Sequence, residues 1–133
     1  MFEKDYLMRL VNTFFNALNR IINSIEKDDI ENVRIQIIDA YKLLGNDSSF
    51  FLNTNLDKIF LFFKEKEGDY LKRVNMLAEL MYQDSRVNKK KETKNLFLDK
   101  SILLFEYYIE NTKEYSFGLN RKLHVMKNER ERL

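Results

Sequence analysis

Side chains able to do acid–base, nucleophilic or metal chemistry are few in this chain, and their spacing does not set them to work together. The one histidine, His124, falls on a weakly amphipathic C-terminal segment. With no nucleophile or carboxylate at catalytic spacing, it reads as a surface or interface residue. A zinc site takes three or four nitrogen or sulfur ligands, and one histidine with no cysteine is too few. Glu106 and Glu110 share a helix face at i, i+4 and offer oxygen ligands of the kind magnesium and calcium take. They lack the Glu-x-x-His partner of di-iron helical proteins, so charged solvent surface is the expectation. Neither Gly-x-x-x-x-Gly-Lys nor Gly-x-Gly-x-x-Gly occurs, which removes the phosphate-cradling loops. Zero cysteines exclude disulfides and thiolate chemistry. The reading is a protein with no enzymatic activity, no cofactor and no metal.

Charge is the second source of chemistry. Arg86, Lys89, Lys90, Lys91 and Lys94 cluster in and after one expected loop, residues 85–92. Residues 86–133 carry twelve Lys/Arg against seven Asp/Glu, a net of +5, while residues 1–85 carry eleven against fourteen, a net of −3; the whole chain is at +2. Such a cluster is what a phosphate backbone would contact, and it makes a nucleic-acid-associated protein the alternative reading. A lysine run is also what a solvated loop looks like, and no retention on nucleic acid is expected. Asp5 and Arg9 stand at i, i+4 in the favourable acid-before-base order, a surface pair worth about 0.2–0.5 kcal/mol.

The elements that must carry these residues are helical. The chain has no proline and three glycines, Gly45, Gly68 and Gly118, each at an expected break between stretches of helical periodicity. Leu7, Val11, Phe14, Leu18, Ile21 and Ile25 form one stripe of a first helix. Asp28 with Glu31 reads as the capping box of a second, whose stripe is Ile30, Val33, Ile37, Tyr41 and Leu44, closed by Gly45 at the left-handed stop position. Residues 46–53 read as a polar connector. Thr54 and Asp57 can cap a third helix that buries Leu56, Ile59, Phe60 and Phe63. A fourth carries Leu71, Val74, Leu77, Ala78 and Met81. A fifth covers about residues 93–112. Ser116 can cap a sixth that frays from Lys127. Short connections make neighbours antiparallel. The expectation is one all-α domain, residues 1–133, of about six antiparallel helices in a repeat-like bundle.

Composition is 44% hydrophobic and 33% charged, normal to high for a helical globular domain. A compact fold of this mass exposes about 7,500 Å² of the roughly 23,500 Å² of the open chain, which is enough burial for a core without staples. Alanine occurs only at Ala17, Ala40 and Ala78, while asparagine, lysine, isoleucine and phenylalanine abound. This bias matches AT-rich coding and discounts part of the lysine and phenylalanine excess. The mixed-charge N-terminus does not resemble a signal peptide, and apolar runs of about five residues fall far short of the roughly 20 that span a bilayer. No membrane partner and a cytoplasmic location are the expectations.

Two segments, Asp5-Tyr6-Leu7-Met8-Arg9 and Leu77-Ala78-Glu79-Leu80-Met81-Tyr82, resemble an uncharacterised family of small bacterial proteins, a domain of unknown function. Tyr115-Ser116-Phe117 is similar to that family's C-terminal segment. The resemblance implies an all-helical architecture without an assigned activity. It also raises a second reading of Asp5, Tyr6 and Arg9, as a recognition face. The fourth and fifth helices distantly resemble a tetratricopeptide hairpin, with Leu77, Ala78 and Tyr82 on the first helix and Phe105 and Tyr108 on the second. The second helix of such a hairpin wants small residues, and here only Ser101 answers; no 34-residue repeat recurs.

Apolar surplus points most directly to function. Residues 102–109 read Ile-Leu-Leu-Phe-Glu-Tyr-Tyr-Ile and residues 59–63 read Ile-Phe-Leu-Phe-Phe. A helix apolar on all sides is either central in the fold or covered by a partner. Phe105 and Ile109 continue the core stripe of the fifth helix, while Leu103, Tyr107 and Tyr108 lie on flanking lines where a partner would sit. The sequence therefore reads as a protein–protein interaction module of unknown partner, with Asp5, Tyr6, Arg9, Leu103, Tyr107 and Tyr108 as its contact residues, and as a homodimer.

Overall fold

The computed structural model describes residues 2–114 and 117–132, with side chains from Asp5 onward. Seven helices follow one another: α1 (Phe2–Glu26), α2 (Ile30–Leu43), α3 (Ser48–Asn53), α4 (Leu56–Lys64), α5 (Tyr70–Val87), α6 (Lys91–Asn111) and α7 (Phe117–Arg132). No strand occurs among the described residues.

The long helices start and stop where local chemistry dictates. On α1, Leu7, Phe14, Leu18 and Ile21 are buried, with Val11 and Ile25 half-buried beside them. The α1–α2 turn differs from expectation by one residue. Asp28 takes φ +58°, a left-handed conformation that Asp tolerates better than most residues. The cap is therefore Asp29, whose carboxylate accepts the Asn32 N–H. Gly45 (φ +100°) and Gly68 (φ +89°) do end their helices in the left-handed region. Gly118 does not punctuate, because it is the second residue of α7. The expected Ser116 cap lies outside the described residues.

The segment expected to be a polar connector contains α3. Asp47 accepts the Phe50 N–H at 2.8 Å and starts a six-residue helix that buries Phe51. Lys100 of α6 closes the other end of that helix, donating to the carbonyls of Leu52, at 3.1 Å, and Thr54. Asn55, rather than Thr54 or Asp57, caps α4 by accepting the Lys58 N–H.

The centre of the molecule is α5, not α6. Eleven of its 18 residues are buried, including Arg73, Glu79, Gln83, Asp84 and Ser85. Those polar groups are satisfied by partners that the sequence does not announce: Ser85 donates to the Tyr82 carbonyl, and Glu79 accepts from Lys122. Helices α5 and α6 are antiparallel, since Tyr70 meets Tyr107 and Ala78 meets Ser101. Helix α7 returns antiparallel to α6, with Arg130 on Asp99 and Lys127 on Glu106. It stays helical through Arg132 and buries one apolar residue, Met126. The accessible surface of 8321 Å² exceeds the compact expectation by about a tenth, consistent with a last helix on the outside, which packs Leu119, Leu123 and Met126 against the core.

Candidate functional site

The apolar surplus of α4 and α6 is mostly used inside the molecule. Ile59, Phe60 and Phe63 of α4 are buried, as are Ile102, Leu104 and Phe105 of α6. Tyr108, expected on a partner-facing line, is only 5% exposed and belongs to the core. Its line turns inward because α6 packs on α5 on one side and α7 on another.

Tyr107 bridges helices. Its ring stacks on Phe60 with centroids 4.0 Å apart and planes 21° from parallel. Its hydroxyl lies 2.5 Å from that of Tyr70, whose ring lies under the Lys64 ammonium at 4.7 Å. Burial, reinforced by the bond to Tyr70, pushes the Tyr107 phenol up to about 12, so it stays protonated. The expected exposure of Tyr107 is thus partial, and its polar end is already occupied. Two leucines near the stacked residues in the chain are exposed. Leu103, one turn before Tyr107 on the same face of α6, is 50% exposed, and Leu61, next to Phe60 on α4, is 59% exposed.

Asp5, Tyr6 and Arg9 are all exposed on the first turns of α1, Tyr6 by 51%. No ion pair joins Asp5 to Arg9 among the described residues. Tyr6 borders two shallow hollows. One is lined by Arg9, Leu10 and Thr13, the other by Glu65, Lys66, Glu67 and Arg73. Arg73 is buried and donates to the Glu67 carbonyl at 2.7 Å; burial lowers its pKa from the usual arginine value. This end of α1 and the Leu103 surface belong to different helices, and no described contact joins them.

The basic cluster is divided between two helices and a three-residue turn, residues 88–90. Arg86 is on α5, Lys89 and Lys90 are in the turn, and Lys91 and Lys94 are on α6. Arg86 donates to Gln83 at 2.8 Å. Arg86 and Lys89 also line a cavity of about 170 Å³ together with Asp28, Asp29, Ile25 and Val33. The α1–α2 turn therefore brings two carboxylates to the cations, weakening the field a phosphate would meet.

Sequence reasoning missed one buried polar group. The Tyr41 hydroxyl donates to Asp84 at 2.8 Å, and the Asn88 amide donates to the other carboxylate oxygen at 2.9 Å. Burial raises the Asp84 pKa, opposed by those two hydrogen bonds and by the charge of Arg34. Burial and Asp84 together raise the Tyr41 phenol well above its usual value. The group ties α2 to the end of α5. Tyr41 had read as one more member of an apolar stripe; the hydroxyl was the one available signal.

His124 is exposed on α7, and Glu106 lies 3.7 Å from Lys127. Among the described residues, no three acidic or histidine side chains gather closely enough to hold a metal ion. No described helix is long and apolar enough to cross a membrane. No protein-family model, curated protein or solved structure matches the chain, so the family resemblance rests on its short segments alone.

Proposed function

We propose that this domain works by binding another protein, through exposed Leu103 beside Tyr107 on α6 and exposed Leu61 beside Phe60 on α4, and does no chemistry of its own. One observation carries the reading: Leu103, one turn from Tyr107 on α6, and Leu61, next to Phe60 on α4, are half or more exposed, while Tyr107 and Phe60 stack on each other. A partner's apolar side chains placed on these leucines would meet residues whose neighbours are already held in a stack, at little cost in side-chain entropy. Tyr107 acts as a support for the surface, and Leu103 and Leu61 are its contacts. Asp5, Tyr6 and Arg9 form a second exposed group, at the start of α1.

The test is affinity capture from the native host with wild type and with Leu103→Lys plus Leu61→Lys. Both leucines are exposed, so the double variant should fold normally and lose the captured protein. Capture of the same protein by both forms contradicts the reading. Recovery of DNA or RNA at low salt, lost steeply as salt rises, would turn the assignment to the basic cluster instead.

A further inference from the structure

The α1–α2 and α5–α6 turns meet at the cavity of about 170 Å³ that Arg86 and Lys89 share with Asp28 and Asp29. Its inner lining is apolar: Val33 is buried, and Ile25 and Val87 are half-buried. The four charged residues are exposed and stand at its rim. Carboxylates and cations line one space, yet none of the four makes an ion pair with a described residue. Arg86 gives one N–H to Gln83 and keeps its other donors. Asp29 accepts one long bond, 3.5 Å, from the Asn32 N–H. Two polar groups in the inner lining are also unmatched. Ser24 is 8% exposed, and its hydroxyl has no hydrogen-bond partner among the described residues. Asn88 turns its amide nitrogen to Asp84, donating to the backbone carbonyl at 2.8 Å and to the carboxylate at 2.9 Å. Its amide oxygen is left as an acceptor.

A simple anion at this rim would face Asp28 and Asp29, and a simple cation would face Arg86 and Lys89. The formal charges of the rim cancel, so the ligand that gains most carries both signs itself. The cavity is smaller than the about 300–1,000 Å³ of drug-sized sites, which sets the ligand as a small molecule. The branched aliphatic lining favours an apolar body. A free α-amino acid with a branched aliphatic side chain meets all three conditions. We propose that this cavity binds such an amino acid, with its carboxylate on Arg86 and Lys89, its ammonium on Asp28, Asp29 and the Asn88 amide oxygen, and its side chain over the aliphatic lining. The Ser24 hydroxyl, able to donate or accept, completes either end. Charge-assisted hydrogen bonds are the stronger kind, but the rim is solvated, so the dissociation constant should fall at roughly 0.1–1 mM. The site involves neither Leu103 nor Leu61, and neither reading requires the other.

Nuclear magnetic resonance titration of the full chain with L-leucine tests this, beside leucinamide, which lacks the carboxylate, and isocaproate, which lacks the ammonium. Leucine should shift the amide signals of residues 24–33 and 86–89 to saturation, and each half-ligand should bind about tenfold more weakly. Arg86→Gln should weaken leucine binding by about tenfold without weakening leucinamide, which has no carboxylate to lose. Asp28→Asn keeps a residue that tolerates positive φ and should weaken leucine without weakening isocaproate. Lys94→Gln, away from the cavity, should change nothing. The amide spectrum of each variant also reports that it is folded. No saturable shift at those residues by about 10 mM leucine overturns the proposal and leaves the charges to solvent. So does equal affinity for all three compounds, which would place the binding in the apolar group alone, or an Arg86→Gln variant that binds leucine like wild type.

Discussion

The Ser101 hydroxyl donates to the Ala78 carbonyl across 2.6 Å, and both residues are buried. In a chain with three alanines, this is where α5 and α6 come close enough for a side chain to reach the other helix's backbone. Ser101→Leu should therefore force the helices apart and cost about 1–3 kcal/mol, the usual range for overpacking a filled core. Ser101→Ala should cost about 1 kcal/mol for the lost hydrogen bond. Urea denaturation checks both, and a Leu variant as stable as the Ala variant would show that the contact is not tight.

The buried Asp84 carboxylate makes a pH prediction of definite sign. Its pKa is raised in the folded protein, mainly by burial, so the folded state holds the proton more firmly than the unfolded chain does. The stabilisation from this group is complete below the unfolded value of about 3.9 and is lost as pH rises through the folded value. Asp84→Asn keeps an acceptor for Tyr41 and removes the titration. The stability of wild type relative to this variant should fall as pH climbs above 3.9, and thermal melts across that window should record it. A constant difference would mean that Asp84 titrates alike in both states.

Tyr70 and Tyr107 share one short hydrogen bond, so their contributions should not add. Tyr107→Phe and Tyr70→Phe should each cost about 1 kcal/mol, and the double variant should cost clearly less than both together. Phe105→Ala, in the core, should cost about 3–5 kcal/mol. Tyr107→Ala should fall between these, because it also removes the stack on Phe60, a geometry worth about 0.5–1.5 kcal/mol beyond its area.

The two left-handed glycines should differ in their tolerance of alanine. At Gly68 a Cβ would stand 2.7 Å from Leu7 Cδ2, a buried side chain, whereas at Gly45 it would meet the Lys66 ammonium at 2.9 Å, the free end of a flexible chain. Both substitutions carry the strain of positive φ, of the order of 1 kcal/mol. Gly68→Ala should be the more destabilising, since Leu7 anchors the start of α1. Equal costs in chemical denaturation would place the whole effect in the backbone.

How far the sequence reached depends on whether an element's partners lie within it. The α1 stripe from Leu7 to Ile21 and the stops at Gly45 and Gly68 are local features, and they were legible. Helix α3 was not, because six residues hold too few turns for a period and its far end is closed by Lys100 from α6. The centrality of α5 was hidden by Glu79, Gln83, Asp84 and Ser85, polar residues that look solvent-facing until Tyr41 and Lys122 are brought to that helix. The surface around Leu103 was half legible. The apolar excess of α6 is written in its sequence, but the stacking of Tyr107 on Phe60 joins two helices far apart in the chain.

The most direct measurement of the partner-binding claim is site-specific photo-crosslinking in the native host, with a photoreactive residue in place of Leu103 and, as control, in place of Asn128, which is also exposed, on α7. The account predicts one discrete adduct with another protein from position 103 and none of that mass from position 128. No adduct from position 103, or the same adducts from both positions, would contradict it.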